Sequence, residues 1–233
     1  MSDVNSFLAG SGFGSRIFYK FARGAVTIFC RLFWRIEIVG RENIPRHGAF
    51  VLAPVHRSNI DTLLACTVTT RRMRFMGKDS LWKNSVAGWF FSSLGGFPVS
   101  RGTVDRESLK RCVAVLETGE PLVLFPEGER KTGEKVHQLF DGAAYVASRA
   151  GVPVIPVGIG GSGRAMPKGS KMLKPVKCVL VVGEEIRTDQ DSSSRAARSS
   201  VKEISLQLHE QLQVLFDQAE ELARARPVKS SSR

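Results

Sequence analysis

Val51-Leu52-Ala53-Pro54-Val55-His56-Arg57-Ser58-Asn59-Ile60-Asp61 is an apolar run that stops at a histidine and gives way, just past Ser58, to a helical pattern. A fully apolar strand followed at once by a helix is the repeating unit of a parallel sheet covered on both faces. The same alternation extends in both directions. Residues 35–39, 74–76, 121–125, 154–159 and 177–182 also have strand character. Residues 62–68, 80–94, 106–118 and 143–150 carry helical patterns between them. The chain therefore reads as an α/β fold, a mainly parallel mixed sheet flanked by helices.

Two appendages flank this body. Residues 1–34 are expected to form an N-terminal amphipathic helical segment. Ile17, Phe18, Phe21, Ala25, Ile28, Phe29 and Leu32 recur at spacings of three and four. Arg16, Lys20, Arg23, Arg31 and Arg35 add positive charge, and Asp3 is the only acid before Glu37. A basic, Phe-rich amphipathic helix fits an anionic membrane surface, and it equally fits a surface helix packed on the core. The aromatic content favours the membrane. Residues 35–188 form the central domain, and residues 189–226 a C-terminal helix packed on it through Val201, Ile204, Leu208, Leu212, Leu215, Ala219 and Leu222. Ser200 and Glu203 suggest a capping box for that helix. Residues 227–233 read as a disordered basic tail.

The 233 residues hold 34 Lys and Arg against 22 Asp and Glu, a net charge of +12. That favours polyanions, whether phosphorylated substrates, anionic lipid or nucleic acid. Nucleic acid is disfavoured because the cations are not interleaved with aromatic side chains and no known binding module is present. Residues 142–183 contain no acid but hold Arg149, Arg164, Lys168, Lys171, Lys174 and Lys177, a face for membrane phosphates, an acidic acyl carrier or plain solvent. Cys30, Cys66, Cys112 and Cys178 are scattered, with neither metal nor disulfide spacing. No secretory signal or spanning apolar run is expected.

His56 falls at the carboxyl end of a strand, where open α/β sheets carry their sites. Asp61, five residues on, would lie about 140° away on a continuous helix. Across a strand-to-helix turn the two can meet, with Asp61 holding one imidazole nitrogen and the other left basic. The same Asp61 also suits a helix N-terminus without any catalysis. A second strand end carries Phe125-Pro126-Glu127-Gly128-Glu129-Arg130, and Gly95-Gly96-Phe97-Pro98-Val99-Ser100-Arg101 presents a further cation. Gly158-Ile159-Gly160-Gly161-Ser162-Gly163 satisfies the dinucleotide fingerprint, but Pro167, Gly169 and Pro175 break the helix it requires.

In order along the chain stand His56 with Asp61, the block ending at Arg101, Phe125 to Gly128 with Arg130, and Val152-Pro153-Val154-Ile155-Pro156-Val157. Lys78 and Leu81, and residues 139–147, add two weaker blocks. The ordered set resembles the glycerophospholipid acyltransferase family, in particular its bacterial 1-acylglycerol-3-phosphate acyltransferases, over about residues 35–185. The resemblance implies acyl transfer from a thioester, acyl-CoA or acyl carrier protein, to a glycerol-phosphate hydroxyl, yielding phosphatidic acid. It implies His56 as general base, Asp61 orienting it, and direct attack with no acyl-enzyme. Arg101, Lys78 and Arg130 would bind phosphate, and Glu127 with Gly128 would position the glycerol. It implies no metal or organic cofactor, and a place on the cytoplasmic face of the cell membrane. Unacylated glycerol 3-phosphate is the alternative acceptor, and a non-catalytic lipid- or nucleic-acid-binding protein the alternative class. Val55 stands where the family usually has Asn, and Glu129 where it usually has Thr.

Overall fold

The computed structural model describes residues 12–99, 106–187 and 194–225. A long first helix, α1 (Phe13–Phe33), leads into β1 (Glu37–Val39). Then come β2 (Val51–Pro54), the short α2 (Asp61–Ala65), β3 (Arg74–Lys78), α3 (Ser85–Ser93), β4 (Gly96–Val99) and α4 (Arg106–Glu117). The chain continues through β5 (Leu122–Val123), α5 (Gly142–Ala150), β6 (Val154–Gly160), the one-turn α6 (Ser162–Ala165), β7 (Val179–Val182) and α7 (Ser194–Arg224).

The seven strands make one sheet in the order β1-β7-β6-β2-β5-β3-β4. The block from β6 to β4 is parallel, and β7 runs antiparallel to β6. β2 is central and every one of its residues is buried, which is why that stretch is continuously apolar rather than alternating. This is the expected mainly parallel α/β architecture with both terminal helices. The strand absent from the sequence reading is β4. Its Gly96-Phe97-Pro98-Val99 has the composition of a turn, and Pro98 is tolerated because β4 lies at the sheet edge.

α7 covers β6 and buries Ile204, Leu208, Leu212, Phe216, Ala219 and Ala223 at spacings of three and four. It begins at Ser194, so Ser200 and Glu203 lie within the helix and are not its cap. The glycines of the dinucleotide-like fingerprint are explained here. A Cβ on Gly158 would overlap the Leu215 carbonyl, and one on Gly160 the Ala219 carbonyl. Two strand residues rise about as far as four helix residues, so the two glycines meet two successive turns of α7. A helix does follow the fingerprint, but it ends after four residues at Ala165, just ahead of Pro167.

α1 is built into the body. Cys30 and Trp34 belong to the main core, and Tyr19 is buried. The Tyr19 hydroxyl accepts from the Met73 amide at the start of β3, and Arg23 donates to the Thr69 carbonyl. Arg23 therefore turns back toward the protein, while Arg16, Lys20 and Arg31 stay exposed. α1 with Trp34 is thus no detachable segment, since removing it would strip Tyr19, Cys30 and Trp34 from the fold. The outer face keeps Phe13, Ile17, Phe21, Ile28, Phe29 and Leu32 exposed. Phe18 instead packs on Trp89 and Phe90 of α3, and α3 adds exposed Val86, Trp89 and Phe90 to the same apolar surface. Among the described residues no helix is long and apolar enough to cross a membrane.

Candidate active site

Because β2, β5, β3 and β4 are parallel, their carboxyl ends share one edge. His56 follows β2, Phe125 to Arg130 follow β5, and β3 ends at Lys78. With strands about 4.8 Å apart, Lys78 lies two strands, about 10 Å, from the end of β2. β4 ends on the same edge at Val99; Arg101, two residues on, lies outside the described residues.

The strand-to-helix turn brings His56 and Asp61 together, with His56 Nδ1 3.0 Å from Asp61 Oδ2. The same oxygen accepts the backbone N–H of Arg57 at 2.6 Å and of Ser58 at 2.7 Å. Asp61 is thus both the carboxylate that shapes the start of α2 and the partner of the imidazole. An ionised carboxylate accepts only, so Nδ1 carries the hydrogen and Nε2 is left with a free lone pair. Asp61 has no exposed side-chain surface and His56 has 16%, so one edge of the ring is open to a substrate. Phe125 stacks on the ring with centroids 4.0 Å apart and fixes its plane. The Ser58 hydroxyl donates to the Met166 carbonyl and ties the turn to the segment after α6.

Glu127 is fully buried, with each oxygen taken by donors of the chain itself. Oε2 accepts the His56 amide at 3.0 Å and Arg57 Nη1 at 2.6 Å, and Oε1 accepts the His137 amide at 3.0 Å. Glu127 was expected to position the glycerol; in the structure its carboxylate joins the β2 and β5 turns from within. Its partner Arg57 is 4% exposed, donates also to the Lys135 carbonyl, and lies over the Phe216 ring of α7. Gly128 has φ +70 and faces the Phe140 ring, which a Cβ would overlap. Its part is to turn the loop sharply beneath Phe140.

Arg130 is half-buried and makes no hydrogen bond or ion pair with the described residues. The next residue's amide, Lys131 N, donates to the His56 carbonyl at 2.8 Å, so the backbone of Arg130 runs beside the histidine. Glu129 points outward, and Lys131 Nζ meets it at 2.8 Å. The hydrogen bond and charge of Lys131, with Lys168 adding a smaller effect, hold its carboxyl below the usual range. Its charge is therefore answered by a cation and does not stand alone beside Arg130. Among the described residues no group of three or more His, Cys, Asp or Glu is arranged to hold a metal ion.

The family profile described as Acyltransferase matches residues 35–160, more than half the chain and the span that holds these turns. The chain belongs to the acyltransferase family. The 1-acyl-sn-glycerol-3-phosphate acyltransferase of Bacillus subtilis is 29% identical over 72% of this acyltransferase and 82% of its own length. A Chlamydomonas reinhardtii protein of the same name is 31% identical over 72% of this chain, which spans about half of it, 52%. The crystal structure of the 1-acyl-sn-glycerophosphate acyltransferase PlsC from Thermotoga maritima superposes with a TM-score of 0.68 at 26% identity, covering 90% of this chain and 83% of that one.

Three residues of the acyltransferase site were not singled out in the sequence: Arg57, Phe125 and Ser58. Each lies within three residues of one that was, and each acts by holding a neighbour. Arg57 was legible to the extent that an Arg next to the histidine and a Glu in the second turn invite pairing. A groove of about 860 Å³ lies elsewhere, between α5 and α7, lined by Leu139, Tyr145, Arg149, Val201, Leu206 and His209. It includes none of the residues that meet around His56.

Proposed function

We propose that this acyltransferase moves a fatty acyl group from an acyl thioester to the free hydroxyl of 1-acylglycerol 3-phosphate, giving phosphatidic acid. The observation that carries the reading is the 3.0 Å pairing of His56 Nδ1 with buried Asp61, which leaves Nε2 as a base at an open edge. Nε2 takes the proton of the acceptor hydroxyl as its oxygen attacks the thioester carbonyl. The tetrahedral intermediate collapses, the carbon–sulfur bond breaks, and the imidazolium returns the proton to the leaving thiolate. Asp61 stabilises the imidazolium through both steps. No acyl-enzyme, metal or organic cofactor enters.

The names of the relatives support the lysophospholipid acceptor. Arg130, without an ion pair among the described residues, supports a phosphate near the histidine, since a guanidinium grips phosphate with paired N–H groups. Lys78, at the end of β3 on the same edge, and Arg101 complete the phosphate site in this reading. We place the enzyme on the cytoplasmic face of the cell membrane, held peripherally by the apolar outer faces of α1 and α3.

The test crosses two donors, acyl-CoA and acyl carrier protein, with two acceptors, 1-acylglycerol 3-phosphate and glycerol 3-phosphate, using the full chain on lipid vesicles. Phosphatidic acid should form from the lysophospholipid and be lost in His56→Ala. Preferential turnover of glycerol 3-phosphate would replace the acceptor, and a folded His56→Ala with wild-type turnover would remove the mechanism.

A further inference from the structure

We propose that residues 167–174, between α6 and β7, form a second lipid-contacting element at the mouth of the active site. In this reading Met172 and Leu173 insert into an anionic bilayer and Lys168, Lys171 and Lys174 lie against its headgroups. The proposal deepens the membrane reading above and rests on it.

The segment leaves the site directly. The Ser58 hydroxyl of the catalytic turn donates to the Met166 carbonyl at 2.7 Å, and Lys168 lies close enough to Glu129 to help lower its carboxyl. The segment then folds on itself. Gly169, with φ +87, sits inside a turn closed by the Ser170 amide on the Pro167 carbonyl. The Met172 amide donates to the Ser170 hydroxyl. Its base is pinned where the Lys174 amide meets the Ala165 carbonyl and Trp34 Nε1 meets the Lys174 carbonyl. Arg35 donates to the Pro175 carbonyl. The loop is therefore braced against Trp34 at the carboxyl end of α1, whose ring packs edge-on against exposed Phe29.

At its tip Met172 is 68% exposed and Leu173 39%, although the core could have taken both. Two apolar side chains set among lysines, in a stretch with no acid from residue 142 to 183, combine insertion with headgroup attraction. An acidic carrier protein would need the lysines but gives no reason for an exposed apolar tip. A loop of this kind would hold the His56 edge against the surface on the side opposite β4, so that a lipid acceptor need not leave the bilayer fully.

The experiment uses the full chain with Met172→Cys carrying an environment-sensitive fluorophore, and Val214→Cys on exposed α7 as the reference. Burial raises the pKa of all four native thiols, so labelling near pH 7 favours the added one. Vesicles of phosphatidylcholine with phosphatidylglycerol are added, and co-flotation is scored in parallel. The expected result is a blue shift and quenching by chain-labelled lipid at position 172 and neither at 214. Lys168→Gln with Lys171→Gln should weaken the response at low salt. If the protein floats with the vesicles while position 172 stays aqueous, this element is wrong and the α1 reading stands. If the protein does not float, both fail. A response to acyl carrier protein and not to vesicles would reassign the loop to the donor.

Discussion

At Asp61 one carboxylate oxygen accepts from the imidazole and from two backbone amides, so the residue shapes the turn and orients the imidazole with the same atom. Asp61→Asn keeps the shape but loses the charge and the fixed acceptor for Nδ1. Turnover should fall by about 10²–10⁴-fold while the circular dichroism spectrum is retained; near wild-type kcat in the folded variant would show that Nε2 is not the base. Glu127 makes a different prediction. Both its oxygens are consumed inside the chain, so Arg57→Ala would leave a buried carboxylate without its cation and should cost about 3–5 kcal/mol, read from the urea midpoint. Were Glu127 a glycerol contact, Glu127→Gln would instead raise the acceptor KM with little loss of stability, and measuring both separates the two roles. Arg130→Ala should raise the acceptor KM and leave the donor KM unchanged, because its side chain has no ion pair among the described residues and its backbone runs beside His56. The pairing of His56 with Asp61 was legible in the sequence because it needs only a strand end and a five-residue reach. The part played by Glu127 was not, since its partners come from residues 70 and 10 positions away along the chain and no local pattern encodes them.

Among the elements, β6 and α7 show how a motif can satisfy a pattern for an unrelated reason. Gly158 and Gly160 suit a phosphate loop by spacing, yet both are strand residues, placed so that the backbone of α7 can approach β6. Gly158→Ala and Gly160→Ala should each destabilise by about 1–3 kcal/mol or more, because the added methyl meets backbone that cannot rotate away. The check is the shift in denaturation midpoint with kcat measured on the folded fraction; an unchanged midpoint would mean that α7 lies farther from the sheet. The strands with continuous apolar character, β2 and β6, were readable because burial on both faces demands it. β4 was not, since an edge strand of Gly-Phe-Pro-Val borrows its pairing from β3 and carries no period of its own. The amino end of α7 was missed for a related reason. The first two turns, from Ser194, lack the apolar stripe that begins at Val201, so the pattern marks where the helix packs and not where it starts.

Across the whole molecule, burial and charge are unevenly distributed, and each distribution has a consequence. Desolvation pushes the Cys30 thiol up to about 11 and those of Cys112 and Cys178 to about 12, from 9.0. The protonated thiol is the form the fold accepts, so this stabilising contribution is whole below pH 9 and is lost as pH rises toward 11–12. The urea midpoint should therefore fall between pH 8.5 and 10.5, and less steeply in Cys112→Ala; equal slopes would exclude the thiol as a cause. The exposed distribution leads to the membrane. Phe21 and Leu32 on α1, 81% and 77% exposed, and Trp89 on α3, 57% exposed, share one apolar surface bordered by Arg16, Lys20 and Arg31. Contiguous apolar surface of this kind marks an interaction site, and each headgroup contact by Lys or Arg adds about 1 kcal/mol near an anionic bilayer. Deleting α1 cannot test the point cleanly, because Tyr19, Cys30 and Trp34 would leave the fold with it. Phe21→Ser and Leu32→Ser change side chains that face outward, whereas Trp89→Ser also loses its packing on Phe18, so the denaturation midpoint of the triple variant is measured beside its flotation. Wild-type protein should float with vesicles containing phosphatidylglycerol, less so at 1 M salt but not to zero, since salt screens the cations and not the apolar part. The triple variant should retain only the salt-sensitive share. If it floats at high salt as well as wild type does, the outer face of α1 and α3 is not what holds this enzyme to lipid.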